Sequence, residues 1–179
     1  MPLPINIQDL FRGKSVEWER LEFKSGWNPL ITLHTICAFA NDFHNLGGGY
    51  IIIGVEEKNG LPVLPPIGLD PGTLDAVQKE ILNLGFNAIQ PYYHPIVVPV
   101  EVDGRHLLVL WVLGGQTRPY KAKLSLGKES KEYGYFIRKG SSTSGPGAPT
   151  KQNSSPWPLR FLLMTGSISR QRSRIFLVN

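Results

Sequence analysis

TICAFANDFHNLGGGYIIIGVEE, Thr35 to Glu57, decides how this chain folds. It reads as the end of a helix, a glycine turn, a buried strand and an acidic exit. Gly47, Gly48 and Gly49 allow a sharp turn, because a residue without Cβ tolerates positive φ. Tyr50 to Ile53 is a continuous apolar, largely β-branched run, as expected of a strand covered on both faces. Glu56 and Glu57 follow it. Two carboxylates at the end of a central strand are a natural place to look for chemistry.

Working outward, Asn28-Pro29 opens the preceding helix, with an N-cap followed by proline in the first turn. Leu30, Leu33, Cys37 and Ala40 then repeat at helical spacing. Before it, Leu21 and Phe23 alternate with Arg20, Glu22 and Lys24, which predicts a strand over Arg20–Lys24 with Glu17 just ahead. Ile5 to Phe11 suits a short helix. Asn59-Gly60 marks a turn, and Leu61 to Pro71 a proline-rich loop. Leu74, Val77, Ile81 and Leu84 form one face of an amphipathic helix over Thr73–Leu84. His94–Val102 and His106–Leu113 are strands joined by Asp103-Gly104, a strong hairpin signal. A polar loop over Leu124–Glu132, a last strand over Tyr133–Arg138 and an outgoing loop over Lys139–Thr143 complete the body.

The chain has 179 residues, enough for one domain with a substantial core. No apolar run reaches the roughly 20 residues needed to span a bilayer. Met1 to Asp9 has neither a cationic start nor an apolar stretch, so no signal peptide and no membrane partner are expected. The single cysteine, Cys37, excludes an internal disulfide and a multi-cysteine zinc cage within one chain. A cytoplasmic setting is expected, and assembly with further copies is compatible with the sequence.

The net charge of +5 misleads. All 14 acids lie before Ser144, and so do 14 of the 19 lysines and arginines, which leaves that span neutral. Within it the signs separate: residues 1–100 carry 10 acids and 6 bases, and residues 101–143 carry 4 acids and 8 bases. The second half can therefore offer a phosphate-facing surface. After Thr143 the composition changes. Residues 144–179 are rich in Ser, Gly and Pro and then in bases without acids, so they are expected to form an irregular tail, either non-native coding such as a frameshift or a disordered extension. The domain is expected to occupy residues 1–143.

Four segments in one order now carry a resemblance: EWERLEFK (17–24), AFAN (38–41), GGYIIIGVEE (48–57) and YFIRKGSST (135–143). Together they resemble the Schlafen-type AlbA-like domain (AlbA_2, also described as divergent AAA-type) found in bacterial regulators of transcription and at the core of Schlafen proteins. The resemblance implies an α/β (α+β) fold with helices packed on a mixed sheet. It also implies a nucleic-acid partner, DNA or RNA. Some Schlafen members are metal-dependent nucleases with an acidic triad, and its members match Glu17, Glu22 and Glu56. The third is commonly Asp in an Asp-Asp pair, where this chain has Glu56-Glu57.

Three carboxylates suit Mg²⁺ or Mn²⁺, hard cations that prefer oxygen ligands and can activate water against a phosphoryl group. Glu17 and Glu22 are five positions apart, so a regular strand would point them to opposite faces; their convergence requires a bend. The competing reading is a set of solvated or ion-paired surface acids. Lys24, on the strand face of Glu22, can neutralise phosphate or form a simple Glu–Lys pair. Arg138, Lys139, Ser141 and Ser142 combine cations with hydroxyl donors, a composition that suits a phosphate backbone. Lys121, Lys123, Lys128 and Lys131, interleaved with Tyr120 and Tyr133, suit a single strand with rings under bases. Trp27 is a further stacking candidate. ATP is not expected, because the glycine turn precedes its strand and lacks the Gly-Lys-Ser/Thr ending of a P-loop. Asn41 is expected to bond the backbone of that turn. The histidines show no metal-ligand spacing. The leading expectation is a nucleic-acid-binding domain of a bacterial regulator. The alternatives are a metal-dependent endoribonuclease and a nucleotide-binding or scaffold module, so whether the chain is an enzyme stays open.

Overall fold

The computed structural model describes residues 3, 5–12, 19–127 and 129–146. Helix α1 spans Ile7–Arg12, α2 Pro29–Asn41 and α3 Leu74–Ala88. The strands are β1 Leu21–Lys24, β2 Gly49–Ile53, β3 Glu57–Lys58, β4 Leu61–Pro62, β5 Ile89–Gln90 and β6 Ile96–Val102. They continue with β7 Arg105–Val112, β8 Lys121–Lys123, β9 Tyr133–Tyr135, β10 Ile137–Lys139 and β11 Ser142–Ser144.

The main sheet has the order β1-β2-β7-β6. β1 runs parallel to β2, with Leu21 opposite Tyr50 and Lys24 opposite Ile53, and α2 makes the crossover. β2 runs antiparallel to β7, and β7 antiparallel to β6. The sheet is therefore mixed, as the resemblance implied, with β1 at one edge. A parallel pair needs such a crossover, whereas β6 and β7 need only a two-residue turn. Asp103 and Gly104 supply it at φ 50° and 71°, the left-handed pair that a tight hairpin requires.

Every residue of β2 is buried. Its side chains alternate: Ile51 and Ile53 enter a core with α2 and α3, while Tyr50 and Ile52 enter a second core with α1, Leu21 and Phe23. Burying each isoleucine contributes about 2 kcal/mol. α3 buries the expected stripe, Val77, Ile81 and Leu84, and continues one turn beyond it to bury Ala88.

Helix α2 starts as its sequence predicts, with Asn28 Oδ1 accepting from the Ile31 amide at 3.1 Å. It ends on Asp42 in the left-handed conformation. The Asp42 carboxylate then accepts from the Leu46 and Gly47 amides at 2.8 and 3.0 Å, closing the turn into β2. That corrects the expectation for Asn41, whose amide points the other way. Its Nδ2 donates to the Tyr120 and Phe136 carbonyls at 2.9 and 2.7 Å, and its Oδ1 accepts from the Tyr120 amide at 2.7 Å. Asn41 thus ties α2 to the chain on both sides of the second sheet.

That sheet, β5-β8-β9, includes β8, which sequence alternation did not mark. The expected single strand over Tyr133–Arg138 is two, broken at Phe136, because β9 pairs with β8 and β10 pairs with β11. The expected outgoing loop is likewise a hairpin: Gly140, at φ 57°, and Ser141 turn the chain, and Ser142–Ser144 returns along β10. Glu17, Lys128 and the tail from residue 147 lie outside the described residues. No helix among the described residues is long and apolar enough to cross a membrane.

Candidate nucleic-acid interface

β1 alternates, so Leu21 and Phe23 point into the α1-side core and Glu22 points to the opposite face. There it meets Arg138 of β10. Arg138 Nη1 lies 2.6 Å from Glu22 Oε2, and both residues are buried, at 4% and 6% exposure. Nη1 also donates to Thr143 Oγ1 at 3.2 Å, because Arg138 and Thr143 are cross-strand partners in the hairpin. Nη2 reaches the Leu21 carbonyl at 3.4 Å, and the guanidinium sits over the Phe39 ring, 5.1 Å from its centroid. On the outer side, Lys24 Nζ donates to Glu22 Oε1. One carboxylate therefore meets two cations. A buried ion pair repays its desolvation only with the help of further hydrogen bonds, which Arg138 makes here to Thr143 and the Leu21 carbonyl.

Above this cluster lies an open cleft of ≈ 360 Å³, lined by Glu22, Ile31, His34, Thr35, Phe136 and the Ser141–Thr143 turn. Ile31, His34 and Thr35 share one face of α2 by their i, i+3, i+4 spacing. Sequence reasoning missed these three; the signal available was that spacing on an otherwise core-directed helix. Thr35 Oγ1 donates to the Ile31 carbonyl at 3.1 Å and lies 3.4 Å from Thr143 Oγ1. The His34 ring stacks on Phe136 at 3.9 Å, and its Nε2 is 2.9 Å from the Lys123 carbonyl. A carbonyl only accepts, so Nε2 carries the proton. Burial lowers the His34 pKa from its ordinary value, and the bond to Lys123 only partly offsets this.

The structure therefore brings together Glu22, Lys24, Arg138, Ser141 and Ser142. Lys139 is exposed on the same hairpin. The amide of Gly140, in its turn, donates to Glu19 Oε1 at 3.3 Å. Glu56 stands elsewhere in the topology: the chain leaves β2 across the end of β1, with the Gly54 and Val55 amides on the Lys24 carbonyl, and Glu56 follows, exposed. It does not line the cleft. Among the described residues no three His, Cys, Asp or Glu side chains gather to hold a metal ion. Glu22, the one triad candidate among the described residues of the cleft, already has each oxygen on a cation. The described residues therefore fit a Mg²⁺ or Mn²⁺ site poorly.

Lys121 lies on β8 with its ammonium 5.7 Å from the centre of the Tyr133 ring. Tyr120, read from sequence as a second stacking ring, is 3% exposed and bonded to Thr117, which corrects that expectation. Trp27 donates to Glu80 at 2.7 Å and packs against the core. Cys37 is fully buried on α2, and burial pushes its thiol up to about 12, so it is inert.

A model of the Schlafen, AlbA_2 family matches residues 17–146. The chain belongs to that family. Membership makes it a nucleic-acid-related domain. Several solved structures are similar, among them one from Nitrosomonas europaea and one from Corynebacterium diphtheriae. The N-terminal domain of a Nitrosomonas europaea protein described as related to the ATP-dependent DNA helicase RecG is 24% identical, with a TM-score of 0.53 over 87% of this chain and 99% of that domain. The DIP2311 protein of Corynebacterium diphtheriae is 21% identical, with a TM-score of 0.49 over 77% of this chain; the chain spans 25% of that protein's length. What the AlbA_2 domain shares with the Nitrosomonas domain is the fold. No curated protein matches the chain.

Proposed function

We propose that this AlbA_2 domain binds nucleic acid, DNA or RNA, through the β10–β11 hairpin and the adjoining edge of β1, as the recognition module of a bacterial regulator of transcription. The observation that carries this reading is the treatment of Glu22. Its negative charge is more than balanced by Lys24 and Arg138, so the one acidic residue among the described residues that line the cleft does not repel a polyanion. The hydroxyl-bearing Ser141, Ser142 and Thr143 line the same cleft, and Lys139 is exposed on the same hairpin. Cations and hydroxyls on a firm hairpin are the usual donors to sugar-phosphate. In this reading Lys24, Lys139, Ser141 and Ser142 touch phosphate. Arg138 is a positioning residue that fixes the hairpin to β1, and Lys121 extends the basic path along β8.

The test is a gel-shift titration of labelled tRNA and labelled single-stranded DNA, with and without Mn²⁺. Retention of the probe that weakens as salt rises supports the reading. No retention of either probe at low salt overturns it. Metal-dependent shortening of the probe, lost in Glu22→Ala, would replace it with a nuclease.

A further inference from the structure

We propose that the cleft between α2 and the β10–β11 hairpin receives a single unstacked nucleobase, so that the domain prefers unpaired strands over duplex. The proposal rests on the nucleic-acid reading above and specifies what that site takes.

The cleft's volume, ≈ 360 Å³, lies just above the roughly 300 Å³ at which small-ligand clefts begin. Its two sides differ in chemistry. One is flat and apolar: the His34 ring stacked on Phe136, with Ile31 at the rim, 49% exposed. The other is polar: the Glu22 carboxylate and the Ser141, Ser142 and Thr143 side chains. A nucleobase matches this division, with a face that stacks and an edge that both donates and accepts.

His34 is held ready for this role. Its ring is fixed from below by Phe136 and at Nε2 by the Lys123 carbonyl, which leaves Nδ1 with a lone pair. A pre-oriented ring costs little to order when a base arrives. Glu22 adds acceptors toward an exocyclic amine. Its oxygens already meet Lys24 and Arg138, but each has a second lone pair. The backbone of the same strand would then pass the hydroxyls of the Ser141–Thr143 turn, which line the cleft. A base inside a duplex has both faces stacked and its edge paired, so only an unpaired or extruded base can enter.

The test compares a fluorescein-labelled single strand with its duplex by anisotropy, in the whole chain and in Ile31→Gln and His34→Ala. Ile31 is half exposed, so its variant keeps the fold if His34→Ala does not. The expected result is a single-strand preference of about tenfold, the worth of one stacked base, that disappears in both variants while duplex affinity is unchanged. Equal affinity for the two probes, or a preference that survives Ile31→Gln, overturns the pocket and leaves the nucleic-acid reading standing. If neither probe binds, the nucleic-acid reading falls. Titration with AMP and CMP, followed on the His34 ring protons, then decides the pocket alone: saturable shifts sustain it and their absence ends it.

Discussion

Glu22 and Arg138, 116 residues apart in sequence, meet at 2.6 Å in the interior of the molecule. The contact exists because β1 lies at the sheet edge and β10 packs beside it on α2. Their pairing fixes where the last hairpin sits relative to the first strand, and so shapes the cleft. Truncating Arg138 leaves a buried carboxylate with Lys24 alone.

Arg138→Met should therefore destabilise the domain by about 3 kcal/mol, the usual cost of breaking one side of a buried pair. Glu22→Gln should cost less, because the amide still accepts from Arg138. Urea denaturation of both single variants and the double variant gives the coupling. Strict additivity would show that the pair does not hold the hairpin.

Asn41 makes three short bonds with no exposure to water, two to Tyr120 and one to Phe136. Removing it takes a donor from the Tyr120 and Phe136 carbonyls, leaving the former with the Cys37 thiol at 3.4 Å, and orphans the Tyr120 amide. Asn41→Ala should cost about 3 kcal/mol. Asn41→Asp should do as much harm, since it keeps the acceptor and loses both donor bonds. A loss below about 1 kcal/mol in urea denaturation would remove Asn41 as the link between α2 and the second sheet.

The glycine turn separates two kinds of constraint. At Gly47, φ is +90° but a Cβ would find only the Arg20 side chain, at 3.6 Å. At Gly48, φ is +80° and a Cβ would lie 2.0 Å from the Val112 carbonyl oxygen. Gly47→Ala should cost about 1 kcal/mol, from backbone conformation alone. Gly48→Ala must also displace β7, and its loss should exceed that of Gly47→Ala severalfold in thermal or urea unfolding.

His34 makes stability depend on pH. Its pKa is lowered in the folded state, so the unfolded chain takes up the proton first. Its contribution is complete above the ordinary histidine value, near 6.5, and falls as pH drops from there to the folded value. Below that it falls no further. Denaturation midpoints measured from pH 7.5 to 5 should decline, and His34→Gln should flatten the decline. An unchanged slope in His34→Gln would show that other groups cause it.

Much of this architecture was legible because local chemistry and tertiary demand agreed. The Asn28-Pro29 cap, the Tyr50–Ile53 run and the Asp103-Gly104 hairpin each read the same way alone and in the fold. Legibility failed where a segment changes partners. Tyr133–Arg138 looks like one strand because alternation has no mark for a strand that leaves one sheet at Phe136 and joins another. Tyr120 looked like a surface ring because a tyrosine between basic residues does not reveal that its neighbour Asn41 draws the backbone inward. At the site, the sequence offered the Glu22–Lys24 pair as one reading of Lys24 but gave no sign that Arg138 meets the same carboxylate. The one sign that Ile31, His34 and Thr35 wall a cleft was their i, i+3, i+4 spacing on a helix otherwise directed at the core.

The central claim is that the β1 edge and the last hairpin form a phosphate-facing surface, and the salt dependence of binding tests it most directly. For the whole chain, log K for a labelled single strand should fall linearly with log salt concentration, by about 0.7 for each phosphate neutralised. Lys24→Ala and Lys139→Ala should each make that slope shallower by about the same amount and weaken binding to every sequence alike. A slope unchanged in both variants, or binding indifferent to salt, would contradict the account.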